Sequence, residues 1–244
     1  RSHAAEFLKL RTTRTVWALL VATLAVTALA VAGIISAVAD SPVLSLESEA
    51  GVRTVLHVSS SGALFVLVLG VIISAGEYRQ GTATDTFLTT PRRWLVIIAK
   101  LVAGASAGVV FGALSAGVAM AVAAGLYALE GYAFPLGSSE AWSILTGAVL
   151  YATLFGALGA ATGSLVRNQV GAIVGWLAWL FVVETIVLGL APGIGRWLPA
   201  TAGRALVRDP AGELLSQPVA AVALAAYAIV IMGAAVIVER RRDA

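Results

Sequence analysis

Leu101–Leu129 reads LVAGASAGVVFGALSAGVAMAVAAGLYAL, 29 residues without one charge. A helix rises 1.5 Å per residue, so this run is longer than the roughly 30 Å of hydrocarbon in a bilayer, which about 20 apolar residues already cross. Five further runs share its character: Thr15–Ala39, Thr54–Gly76, Ala141–Val166, Asn168–Gly195 with Glu184 as its one interruption, and Leu214–Val238. The pattern predicts six transmembrane helices, hence an all-α integral membrane protein.

Composition agrees. Apolar residues make up 59% of the 244 and charged residues 12%, about half the share of an ordinary soluble domain. Cysteine is absent, which excludes disulfide scaffolds, thiol nucleophiles and Cys-ligated metal centres, and His3 and His57 are too few for a His-rich metal site. The net charge of +3 does not point to nucleic acid, because the basic residues stand in small groups between long uncharged runs. Thr15–Ala39 is followed by Asp40-Ser-Pro rather than a small-residue cleavage site, so it is expected to remain in the membrane and not to act as a removable signal.

With six spans, both termini share a side. That side collects Arg1, Lys9, Arg11, Arg14, Arg79, Arg92, Arg93, Lys100, Arg167, Arg240, Arg241 and Arg242, whereas the other has Arg53, Arg196, Arg204 and Arg208. The positive-inside rule therefore predicts cytoplasmic termini. Residues 40–53, 130–140 and 191–217 fall outside, the last as a structured stretch before the final span. The connections leave no room for a soluble catalytic domain, and no internal repeat supports an inverted-repeat transporter.

The cytoplasmic loop at 77–94 is the most informative segment. It follows Gly76, which offers a stop for the second span, and reads Glu77-Tyr78-Arg79-Gln-Gly81-Thr82-Ala-Thr-Asp85-Thr-Phe87-Leu88-Thr-Thr-Pro91-Arg92-Arg-Trp94. Thr82 with Asp85 has capping-box spacing and Pro91 ends what begins there, predicting a short helix over about 83–90. Phe87 and Leu88 would then be covered either by lipid or by a partner protein, and the residues alone leave both open. At the N-terminus, Phe7, Leu8 and Leu10 alternate with Lys9, Arg11 and Arg14, a basic amphipathic pattern suited to the membrane interface.

These segments carry a family resemblance. Glu77-Tyr-Arg-Gln-Gly-Thr82, continuing to Thr90-Pro-Arg-Arg and Lys100-Leu, resembles the loop after the second helix of ABC-2-type transporter permeases. Ala5-Glu-Phe-Leu-Lys-Leu-Arg-Thr-Thr-Arg-Thr-Val-Trp17 is similar to their amphipathic entry segment, Gly163-Ser-Leu-Val-Arg-Asn-Gln169 to their turn between helices four and five, and Trp197-Leu-Pro-Ala-Thr201 to their external loop before helix six. With the hydropathy pattern the matches cover nearly the whole chain.

The resemblance implies the transmembrane domain of a type V exporter, multi-pass in a bacterial cytoplasmic membrane, acting as the permease subunit of an ATP-binding cassette exporter. It implies a coupling helix contacting the ATPase through Glu77, Tyr78, Arg79, Gly81, Thr82, Asp85, Phe87, Leu88, Pro91 and Arg92. It also implies an elbow helix over residues 1–14, with Phe7, Leu8, Lys9, Arg11 and Arg14, and short external helices over 191–217. The chain has no Gly-Lys pair and so no phosphate loop, so ATP and magnesium belong to a separate ATPase. The family's architecture is two ATPases with two permeases, either identical or related.

Other features have plainer readings beside the functional ones. Gly104, Gly108 and Gly112, and Gly156, Gly159 and Gly163, suit close helix packing within the chain better than a dimer seam. Glu184, the sole acid inside a span, is either a substrate-cavity carboxylate or a hydrogen-bonded acid at a helix interface. His57 reads as interfacial, and Arg240-Arg-Arg as a cytoplasmic anchor. A stand-alone transporter or channel is the competing function, but paired intramembrane charges and a polar pore face are poor here. An enzyme would need more than His57 with Ser59, Ser60 and Ser61, since no Gly-x-Ser-x-Gly elbow or further base accompanies them. A pathway rich in Ala, Val, Leu, Gly and aromatics suits an amphiphilic or hydrophobic substrate, such as a drug, peptide antibiotic or lipid-like compound, better than a small ion.

Overall fold

The computed structural model describes residues 14–39, 45–46, 48–80, 93–135, 137–210 and 212–241. All regular structure among them is helical. The helices are α1 (Arg14–Ala39), α2 (Glu49–Leu56), α3 (Ala63–Gln80), α4 (Arg93–Leu129), α5 (Ser139–Val166), α6 (Gln169–Ala178), α7 (Glu184–Leu190), α8 (Pro192–Gly195), α9 (Pro199–Leu206) and α10 (Gln217–Arg241). Six of the resulting units are long and apolar enough to cross a membrane: α1, α2 with α3, α4, α5, α6 with α7, and α10. The protein is thus built as a multi-pass membrane protein.

Helix boundaries move outward from the charge-free runs wherever a charge finds a partner. The second span begins at Glu49 rather than Thr54, because Ser48 caps α2 by accepting the Gly51 N–H at 3.0 Å and Arg53 folds onto Glu140. It is kinked by the 3-10 turn His57–Ser60 and continues past Gly76, which does not stop it, to Gln80. The third span begins at Arg93 rather than Leu101 and takes Lys100 into the bundle, where its ammonium donates to the Ser74 carbonyl at 3.2 Å. In the fifth, the last four residues of the predicted run separate as α8, because Ala191 leaves helical geometry (φ −141°, ψ 72°) just before Pro192.

α5 is the central column, packed on α3, α4 and α10. Glycines set that packing. A Cβ on Gly104 or Gly156 would run into the other's carbonyl oxygen, and one on Gly159 or Gly163 would meet the α3 backbone at Leu67 or Val71. Gly108 and Gly112 likewise lie against the backbone of α5. Both glycine series therefore serve close contact within one chain, where dispersion between touching backbones holds apolar helices together. α1 is pinned by hydroxyls: Thr27 bonds Ser115 at 2.7 Å, and Ser115 donates to the Ser59 carbonyl freed by the kink, at 2.9 Å. At the α2 end, Leu46, Val55, Tyr127 and Ile144 share a core; farther along, Leu67, Phe155, Leu158, Leu206 and Leu224 form another.

Candidate functional site

The site centres on Glu184, placed by a change of helical pitch. Residues Trp179–Val183 form a π-turn, in which the Glu184 N–H bonds the Trp179 carbonyl five residues back. The wider turn sets Glu184 one residue farther round the helix than a regular α-turn would.

Backbone donors to Glu184 come from α9. Its first residue, Pro199, carries no N–H, and its N-cap, Leu198, has no side-chain oxygen. The next two amides are those of Ala200 and Thr201, and both point at Glu184. Ala200 N lies 2.9 and 3.1 Å from the two carboxylate oxygens, and Thr201 N lies 3.3 Å from Oε2. A side chain from another helix therefore performs the capping that the local sequence lacks, with its charge at the positive end of α9. Only 3% of Glu184 is exposed, and both of its carboxylate oxygens accept amide hydrogen bonds.

The other end of α9 is held as firmly. Gln217 Nε2 donates to the Leu206 carbonyl at 2.6 Å, while its Oε1 accepts from Ser143 Oγ at 2.9 Å. Gly203 lies against the Tyr151 ring, twelve residues along α5 and so about 18 Å from its start. α9 therefore runs beside the middle of α5 rather than beyond the bundle, as a wholly external stretch over 191–217 would, and its polar ends are answered inside the protein.

Beside this anchor an apolar cleft of about 360 Å³ separates α6 from α10. Val166 and Gly171 lie at one end, Trp176, Trp179 and Tyr227 along its walls, and Pro199 at the other. Arg167 follows Val166 directly. It closes α5 in the left-handed conformation (φ 57°) and pairs with Glu239 of α10, so an ion pair lies next to that end of the cleft.

Of the coupling residues expected from sequence, Gly81, Thr82, Asp85, Phe87, Leu88, Pro91 and Arg92 lie outside the described residues, as do Phe7, Leu8, Lys9 and Arg11 of the elbow segment. Glu77, Tyr78 and Arg79 extend α3 as backbone, and Arg14 opens α1. His57 Nδ1 lies 2.7 Å from the Thr54 carbonyl, and the Ser60 hydroxyl donates to the His57 backbone, so that segment holds its own kink.

Sequence reasoning missed a second charged cluster. Glu140, in the first turn of α5, is buried and receives Arg53 from α2 at 2.9 Å and Arg208 from the loop after α9, while Arg204 pairs with Asp209 at 2.6 Å. Three of the four basic residues assigned to the outer side are thus matched by acids on that same side. The excess of acids there was the available signal, though it does not identify the pairs.

No family model and no curated protein matches the chain.

Proposed function

We propose that this chain is the permease subunit of an ATP-binding cassette exporter of the ABC-2 type, resident in a bacterial cytoplasmic membrane and driven by a separate ATPase. The observation that carries the reading is the anchoring of α9 by Glu184. The element before the last span is a built part of the membrane domain, at the position where the resemblance expects helices that cap the pathway. An ion channel would need polar groups facing a passage, whereas the carboxylate here accepts from the amides of α9 and the adjoining cleft is apolar and aromatic. A hydrophobic or amphiphilic substrate fits such walls. ATP and magnesium act on the partner, whose hydrolysis moves the spans through the loop between α3 and α4.

The test is reconstitution. The chain, co-expressed with an ABC ATPase from the same organism, is expected to purify as a complex with it and to move a lipophilic dye across proteoliposomes only with ATP and magnesium. Recovery of the permease without an ATPase, or dye movement independent of nucleotide, would favour a stand-alone transporter.

A further inference from the structure

We propose that α2 is a gate: a hinged segment of the second span, latched to α5 through Arg53 and Glu140, whose release opens that end of the bundle to water. α2 is two-faced. Gly51, Val52, Val55 and Leu56 are buried in a core shared with Tyr127 and Ile144, whereas Glu49 is exposed and Arg53, one turn on, is 38% exposed. The latch can let go without stranding a charge. Glu140 Oε1 accepts Arg53 Nε at 2.9 Å, and Oε2 is held separately by Arg208. When Arg53 leaves, its guanidinium passes to water while the buried carboxylate keeps a cation, so the large penalty for an unpaired buried charge does not arise.

The hinge is the 3-10 turn His57–Ser60, after which the helix starts afresh from the Gly62 carbonyl, which accepts the Phe65 and Val66 amides. Side chains of other spans hold the bend. Ser115 of α4 donates to the Ser59 carbonyl at 2.9 Å, Thr27 of α1 bonds Ser115 at 2.7 Å, and Ser61 Oγ lies 3.4 Å from Thr27 Oγ1. The Ser59 hydroxyl, by contrast, is buried and has no hydrogen-bond partner among the described residues. The bent state therefore carries the cost of an unmet polar group. In a continuous helix that hydroxyl would reach the Val55 carbonyl four residues back, and the Ser59 carbonyl would return to the amide four residues on. Straightening thus exchanges the bond from Ser115 for two others. Ser115, Arg53 and the apolar face of α2 favour the closed arrangement, and the Ser59 hydroxyl favours release.

The experiment is the rate at which N-ethylmaleimide labels single cysteines in the full chain, purified in mild detergent. Val55→Cys reports on the seat of α2, and Leu224→Cys, equally buried on α10, reports on general loosening. Arg53→Gln should raise the Val55→Cys rate about fivefold, as loss of a partly exposed ion pair allows, and leave the Leu224→Cys rate unchanged. Salt at 1 M, where screening acts within about 3 Å, should raise the Val55→Cys rate when Arg53 is present and have no such effect in Arg53→Gln. Ser115→Ala should speed labelling, and Ser59→Ala, which removes the unmet hydroxyl, should slow it. If Arg53→Gln does not fold, the salt response with Arg53 in place decides. Equal labelling with and without Arg53, no response to salt, or rates at Val55→Cys and Leu224→Cys that rise together would overturn the latch. Faster labelling in Ser59→Ala would overturn the hinge. None of these outcomes depends on the ATPase or on the transport reading.

Discussion

Glu184 and Ala200 are joined across sixteen residues by the amide of one and both carboxylate oxygens of the other, at 2.9 and 3.1 Å. The contact ties the N-terminal amides of α9 to the fifth span. The hydrogen bonds are those of an acid at a helix interface, one of the two readings that the sequence left open.

Glu184→Leu should strand the amides of Ala200 and Thr201 and lower stability by about 2 kcal/mol or more, since each buried unsatisfied donor costs about 1–3 kcal/mol. Glu184→Gln retains an acceptor and should lose only about 1 kcal/mol. Thermal unfolding in detergent, followed by size-exclusion recovery, checks the order. Equal stability of Glu184→Leu and the parent would show that the carboxylate does not hold α9.

Glu140 binds arginines from two other elements. Glu140→Leu should lower stability by about 1–2 kcal/mol, a figure reduced because both arginines are partly exposed. The deficit should narrow when salt is raised to 1 M, where screening acts within about 3 Å. A deficit indifferent to salt would assign the effect to packing.

Gly156 meets both Gly104 and α3. Gly156→Ala places a methyl against backbone that cannot yield without moving a helix, and overpacking of this kind costs about 1–3 kcal/mol. Gly117→Ala, whose Cβ meets open space on α4, should be neutral or mildly stabilising. Comparing the folded fractions of the two variants in detergent separates close packing from general intolerance of glycine replacement.

The spans were legible in the sequence because length and hydrophobicity are local properties, and the glycine spacing correctly indicated intramolecular contact. What composition concealed were pairings made at long range. Arg53 and Lys100 looked like limits of their spans, yet each is accommodated within a helix by a partner 87 or 26 residues away. Glu184 stood out as an acid in an apolar run, but its role depended on Pro199 and Leu198, which leave the start of α9 without a cap of its own. No periodicity reports that relation.

Orientation is open to direct labelling. Single cysteines at Glu49, Gly137 and Glu213, all exposed, should react from outside with an impermeant maleimide if the termini are cytoplasmic. These sites avoid Ser48 and Ser138, whose hydroxyls cap α2 and α5, and Gly212, which holds φ +85°. Reaction only after permeabilisation would reverse the topology.

The central claim is that a separate ATPase drives this chain through residues 77–90, and the Phe87→Ala/Leu88→Ala variant tests it most directly. Apolar anchors at the centre of an interface commonly contribute 2 kcal/mol or more, corresponding to roughly a thirtyfold change in affinity. The double variant should insert and fold normally, yet lose most of its ATPase in a tagged co-purification and leave residual hydrolysis uncoupled from transport. Undiminished recovery of the ATPase, with transport intact, would contradict the claim and return the chain to the class of stand-alone membrane transporters.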